Sequence, residues 1–324
     1  MMSRRRYALV AALVLVAGIV VWNVVGGWFG SGPLTKDSAF VVPNGASLSA
    51  VADKLQDEGV VRSGDGFALR ARLFGGGGAI KAGEFVIPAH ASPSRVLAII
   101  SSDDVVRRQV MIPEGMPSIM VYERLMAQEA LTGELAVPEE GSVLPATYDI
   151  QKGDARADIL RQMQAGMRRT LAELWEKRAP DLVVKTPEEA LVLASIVEKE
   201  TAKAEERTVV AGLYSNRLKQ GMLLQADPTI IYPITKGKPL GRRIRQSEIQ
   251  AINDYNTYSM VGLPKHPICN PGRASIEAVL HPAETDALYM VADGTGGHVF
   301  ASTLEAHNEN VKKWFEIRRK RGEI

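Results

Sequence analysis

Arg4, Arg5 and Arg6 stand directly before an apolar stretch that runs without a charge from Tyr7 to Trp22 and, past Asn23, on to Phe29. At about 1.5 Å per residue, roughly 23 residues make about 35 Å of helix, enough to cross a hydrocarbon layer of ~30 Å. This predicts a transmembrane anchor over residues 1–30, with Trp22, Trp28 and Phe29 at the outer interface. The arginines favour the cytoplasmic side, which places the rest of the chain across the membrane. The rival reading is a cleaved signal peptide, since the uninterrupted part is only about 16 residues. No clear Ala-x-Ala site follows, and the apolar character continues past Asn23, so an uncleaved anchor is the expectation.

Residues 31–38 are short, polar and Gly/Pro/Ser-bearing, as in a linker. The whole chain of 324 residues is 46% hydrophobic and 23% charged, the balance of a globular protein long enough for two packed units. With 39 Lys and Arg against 37 Asp and Glu, the charge is too near neutral for a nucleic-acid surface. Cys269 is the only cysteine, which excludes an intrachain disulfide and a cysteine-based zinc site.

Beyond the linker the pattern predicts an α+β chain. A strand at 40–42 meets a turn at Pro43-Asn44-Gly45, then a helix follows over 48–58, with Leu48, Val51, Ala52 and Leu55 at helical spacing. A second helix, 66–74, ends in Gly75 to Gly78. These four glycines lack the Gly-Lys-Ser/Thr ending of a phosphate loop and read as a helix exit. A strand at 83–88 and a helix at 93–100, N-capped by Ser92, complete a small α/β module over 39–102. Residues 103–324 form the second unit. Its predicted elements are a strand at 105–113, a helix at 118–129, a loop at 138–145 and a long helix at 154–178 packed through Trp175.

The chemistry is expected between about 186 and 307, where polar residues mix with aromatics. Thr186-Pro187-Glu188-Glu189 is a helix start with a capping box. In the helix that follows, Leu193, Ile196 and Val197 lie within about 60° of Glu200 on the wheel, whereas Glu198 points about 160° away. Glu200 therefore extends the apolar face, and desolvation there raises a carboxyl pKa toward the range of a general acid. Glu198, beside Ser195, is expected to be an ordinary solvated acid. A second helix from Glu206 to Gly221 carries Val209, Val210, Leu213 and Tyr214. After it, Leu224 to Tyr232 reads as a turn where amides, a carboxylate and an aromatic alternate, a mixture suited to sugars.

The run Ala194-Ser195-Ile196-Val197-Glu198-Lys199-Glu200-Thr201, with Glu206-Arg207, Asn216-Arg217-Leu218, Gly221-Met222, Leu224-Gln225-Ala226-Asp227-Pro228-Thr229 and Tyr232, resembles the signature of the MltG (YceG-like) endolytic murein transglycosylases. The likeness continues through Tyr255-Asn256-Thr257-Tyr258, Gly262-Leu263-Pro264, Asn270-Pro271-Gly272, His281-Pro282-Ala283, Val291-Ala292-Asp293-Gly294, Gly296-Gly297-His298-Val299-Phe300 and His307-Asn308. The resemblance implies a LysM-like module over 39–102, then a mixed α/β catalytic domain. It further implies a bacterial inner-membrane location with the bulk of the chain periplasmic, no cofactor, and cell-wall synthases of the penicillin-binding type as partners. Two segments depart from the family pattern. Gly141 to Tyr148 lacks two aromatics and an acid, and Lys265-His266 replaces Pro-Gly.

The implied reaction cleaves the bond between N-acetylmuramic acid and N-acetylglucosamine within a peptidoglycan strand and leaves a 1,6-anhydro end. In the scheme the family implies, Glu200 protonates the leaving oxygen and then, as carboxylate, takes the proton of the muramic 6-hydroxyl. Glu206, Asn216, Gln225, Asp227, Tyr232, Tyr255, Asn256 and Tyr258 are the candidate substrate-binding residues. Gln225, Asp227, Asn256 and Tyr258 would stabilise positive charge at the ring; Tyr232 and Tyr255 either stack on sugar or pack in the core. Hydrolysis by paired carboxylates would need a second acid, for which Asp227 and Glu206 are candidates. No His-Glu-x-x-His motif exists, so His298 and His307 read as satisfied polar histidines and no metal is expected. A glycan-binding scaffold without turnover, or a hydrolase using water, remain the alternatives.

Overall fold

The structure is a computed structural model that describes residues 11, 14–16, 18, 19, 24–75 and 78–324. The chain divides into two compact units, Met1–Arg108 and Gln109–Ile324. Most of the predicted membrane segment lies outside the described residues, and among those described no helix is long and apolar enough to cross a membrane; Trp28, expected at the outer interface, is instead buried in the core of the first unit against Phe67. The strands form three separate two-stranded sheets interspersed among the helices, a mixed α and β fold.

In the first unit, strand β1 (Ser38–Val42) pairs antiparallel with β2 (Gly83–Ile87), Phe40 opposite Phe85. Between them lie helices α1 (Leu48–Asp57) and α2 (Gly64–Phe74), and α3 (Pro93–Ile100) follows. Each begins at a serine that accepts a hydrogen bond from the helix: Ser47 from Ala50, Ser63 from Gly66 and Ser92 from Arg95. Such caps each contribute about 1 kcal/mol. The inward faces of all five elements close one core around Phe40, Leu55, Phe67, Phe85 and Ile100. Glu84, 1% exposed, is paired with Arg108.

The segment predicted as one strand over 105–113 is divided instead. Val105 packs on the core of the first unit and the Val106 amide donates to Glu84 O. Only β3 (Arg108–Met111) is a strand, paired with β4 (Thr147–Ile150), and Val110 and Ile112 join a core in the second unit. A sequence pattern cannot reveal that the two ends of one predicted strand serve different cores.

The rest of the second unit is built around one helix. α4 (Ser118–Met126) and α5 (Arg156–Glu176) precede α6 (Pro187–Glu200), which is followed by α7 (Arg207–Lys219), α8 (Asp227–Thr235), the single turn α9 (Gln246–Ile249) and α10 (Arg273–Leu280). The hairpin β5 (Tyr289–Ala292) and β6 (His298–Ala301), with Val291 opposite Val299, leads into α11 (Leu304–Lys320). α5, α7, α8 and α10 all pack on α6. Ala190 and every residue from Val192 to Val197 are buried, the pattern of a helix enclosed on all sides.

Four expectations are revised. Ser195 does not face solvent; its hydroxyl donates to Val192 O and accepts from the Ile268 amide, 3.0 Å away. Glu198 is not a free surface acid, because its Oε2 accepts the Gly272 amide at 2.9 Å, at the N-cap of α10, where a negative charge is favoured. A polar helix face can be covered by backbone, which leaves no hydrophobic signal. Residues 224–232 are not a turn throughout, since Asp227 and Pro228 start α8, the arrangement that suits a helix's first positions. The start of α6 also differs in detail. Thr186 caps the Glu189 amide, but the Glu189 carboxylate reaches the Lys185 amide rather than that of Thr186.

Candidate active site

Glu200 is the last residue of α6, and Thr201 beyond it is extended. Its Oε1 is buried and has no hydrogen-bond partner. Burial is the main reason its carboxyl is pushed up to about 7, and the negative charge of Asp227 adds to the shift; the Tyr214 hydroxyl and the charge of Arg217 pull the other way. A carboxyl so placed is substantially protonated near neutrality, the state from which it can donate.

Glu200 opens on a cavity of about 390 Å³ that is also lined by Tyr214, Arg217, Gln225, Asp227, Tyr258, Tyr289, His298 and His307. Tyr214 and Arg217, three residues apart on α7, fall on one face. Arg217 is fixed by donating Nε to Leu288 O at 2.6 Å and Nη1 to Leu224 O at 2.7 Å, and its guanidinium lies 5.5 Å from the Tyr289 ring centre.

Asp227 opens α8 and Tyr258 lies in a loop 31 residues on, and buried hydroxyls stitch the two together. Thr257 Oγ1 accepts the Ala226 amide and lies 2.9 Å from Thr229 Oγ1. This brings the Tyr258 hydroxyl to donate to Asp227 Oδ1 at 2.7 Å. Burial and the adjacent Asp227 carboxylate push the Tyr258 hydroxyl pKa up, so it stays a donor. Gln225 is held with φ +52° while its amide donates to Thr257 O, an unfavourable backbone for a residue with a side chain.

Of the residues singled out in the sequence, Glu200, Gln225, Asp227 and Tyr258 thus share one cavity. The others lie elsewhere. Asn256 is fully buried; its amide donates to the carbonyls of Glu248, Ile249 and Ala251, and its Oδ1 accepts the Tyr258 amide. It shapes the loop rather than meeting a ligand. Asn216 donates to Thr285 O and Ala287 O, which ties α7 to the approach to β5. Tyr232 is buried in the core and Tyr255 packs on it, ring centres 4.9 Å apart, away from the Glu200 cavity. Glu206 is bonded to Thr201 Oγ1 and His298.

The sequence reading missed Tyr214, Arg217 and Tyr289 as cavity residues. A signal existed for Arg217, an arginine between the apolar positions of a helix that also carries Tyr214. His307 is not satisfied: its Nδ1 is buried without a partner, and its ring stacks on Tyr289 at 5.3 Å. Burial, with the charge of Arg217, lowers its pKa. Among the described residues no three His, Cys, Asp or Glu gather as a metal site.

Residues 40–313 match the YceG-like family. The chain belongs to that family. Its relatives include an endolytic murein transglycosylase of Bacillus subtilis, 26% identical over 90% of this chain and 91% of that protein. Another, from Streptococcus pneumoniae serotype 2, is 37% identical over 53% of this chain but only 31% of its own length. Among solved structures, a yceG-like protein of Listeria monocytogenes superposes with a TM-score of 0.53 at 24% identity, covering 85% of this chain and 98% of that one. This last likeness concerns the fold. The YceG-like assignment covers both units, from β1 to α11.

Proposed function

We propose that this YceG-like protein is an endolytic murein transglycosylase, a lyase that cuts the muramic acid to glucosamine bond inside nascent peptidoglycan strands, leaves 1,6-anhydro ends and so ends strand growth. The names carried by its relatives support the substrate class. The observation that carries the reading is Glu200, a carboxyl pushed up to about 7 that lines a cavity and has one oxygen buried and unpartnered. Glu200 is the acid that protonates the leaving oxygen. An internal sugar hydroxyl then takes the place of water at C1, a ring closure favoured by proximity. Asp227 is a negative charge beside the acid that keeps Glu200 protonated and offers an acceptor to the sugar, with Tyr258 as donor next to it. Residues 1–30 anchor the protein in the bacterial inner membrane with the arginines cytoplasmic. Residues 39–102 form a LysM-like module, and synthases of the penicillin-binding type are the partners.

The test is mass spectrometry of products after incubating the full chain in detergent, as wild type and Glu200→Gln, with uncrosslinked peptidoglycan strands. Internal fragments with anhydro ends from the wild type alone are expected. Reducing ends would make the protein a hydrolase, and an absence of fragments from folded wild type would make it a binding scaffold.

A further inference from the structure

His298, on the wall of the Glu200 cavity, forms a dyad with Glu206 behind it that the one-carboxylate scheme leaves without a task. Glu206 ends a short 3-10 turn, Ala204–Glu206, and His298 opens β6. His298 Nδ1 lies 2.8 Å from Glu206 Oε2, and the His298 amide donates to Oε1 at 2.9 Å. Thr201, the residue after the candidate acid, donates its hydroxyl to the same Oε2 at 3.0 Å. Gly297 leaves the room for this, since a Cβ there would run into the Glu206 carboxylate and Lys203. Both side chains are largely buried, 18% exposed for His298 and 12% for Glu206.

The hydrogen bonds fix the tautomer. Burial opposes ionisation of Glu206, but the bonds from the His298 ring and amide and from Thr201 outweigh it and hold the carboxyl below its ordinary pKa. An ionised carboxylate only accepts, so the neutral imidazole carries its hydrogen on Nδ1 and leaves the Nε2 lone pair free. His298 lines the cavity that Glu200 opens on. The other charged or titratable groups around it are Tyr214, Arg217, Asp227, Tyr258, Tyr289 and His307 in the same cavity, with Lys203 and Asp293, 3.9 Å apart, behind Gly297.

We propose that His298 Nε2 accepts the proton of the sugar hydroxyl that closes on C1, with Glu206 as the positioning residue. The inference rests on the transglycosylase reading and divides its proton transfers between two groups. As the bond from C1 to the bridging oxygen breaks, Glu200 gives its proton to that oxygen. The 6-hydroxyl oxygen bonds to C1, and its proton passes to Nε2. The pair is left as carboxylate and imidazolium, and solvent returns the proton from one to the other before the next turnover.

The experiment is the pH dependence of kcat and KM for release of anhydro ends by the full chain in detergent, for wild type, His298→Asn and Glu206→Gln, with thermal melting of each. Asn keeps an N–H at the Nδ1 position for Glu206 but has nothing at Nε2. For folded His298→Asn, a kcat about 10²–10⁴-fold lower is expected, with KM within about twofold and the low-pH limb of the wild-type profile gone. Glu206→Gln should move that limb to lower pH, because the imidazolium loses its counter-charge. A folded His298→Asn within about threefold of wild type overturns the assignment. So does a wild-type profile without a low-pH limb, whatever the variants do. If the wild type releases no anhydro ends, the transglycosylase reading itself has failed; if it does and His298→Asn matches it, only this assignment has.

Discussion

Replacing Glu200 by Gln should stabilise the second unit at alkaline pH while abolishing turnover. In the folded protein the carboxyl titrates at about 7 against a reference of 4.5, and each pKa unit is about 1.4 kcal/mol, so the full effect is about 3 kcal/mol. Below the unfolded pKa, both states are protonated and the side chain costs nothing. As pH rises toward 7, the folded state keeps the proton that the unfolded chain has released, so wild-type stability falls. Above the folded pKa the whole penalty applies, because the anion sits where Oε1 has no partner. Gln carries no such proton. The stability difference between variant and wild type should therefore grow by about 3 kcal/mol from pH 4 to pH 9, mostly between 4.5 and 7. In a unit of this size that is roughly 6–12 °C in melting temperature. Urea unfolding of both proteins at several pH values reads the difference directly, since all other titrations are shared. A difference that does not change with pH, or that grows toward acid, would refute the desolvated-acid argument.

Two further outcomes follow from the geometry. Asp227→Asn removes the negative charge that adds to the Glu200 shift, so the alkaline limb of the activity profile should move to lower pH; an unmoved limb in an active variant would remove Asp227 from the account. Asn270→Ala should destabilise the second unit by about 2–4 kcal/mol in denaturant titration. The loss leaves the buried Val143 amide and Met116 carbonyl, both now bonded to the Asn270 side chain at 2.9 Å, without that partner, and a cost under about 0.5 kcal/mol would contradict this.

Much of the fold was legible because its signals are local. The serine cap at 92, the left-handed Gly221 after α7 and the helical spacing of Val51, Ala52 and Leu55 each act within one turn of chain. Glu200 was legible for a related reason, since Leu193, Ile196 and Val197 share its face. The asparagines were not. An amide reads the same whether it bonds a ligand or a distant carbonyl, and the partners of Asn216 lie about seventy residues on, at Thr285 and Ala287. The same limit hid the Glu206 to His298 pair, ninety-two residues apart. Glu198 was misjudged because backbone, not apolar side chain, covers its face.

The cavity has two walls written at different times. One comes from residues 200–258, with Glu200, Tyr214, Arg217, Asp227 and Tyr258; the other comes from Tyr289, His298 and His307. A chain is made from its N-terminus at about 5–20 residues per second. The acid thus exists, on a helix able to pack, several seconds before the residues that enclose it. Until β5, β6 and α11 have docked, the cavity that Glu200 opens on lacks its second wall. The enclosed site is in this sense completed last, when the closing hairpin brings Tyr289 and His298 opposite the acid.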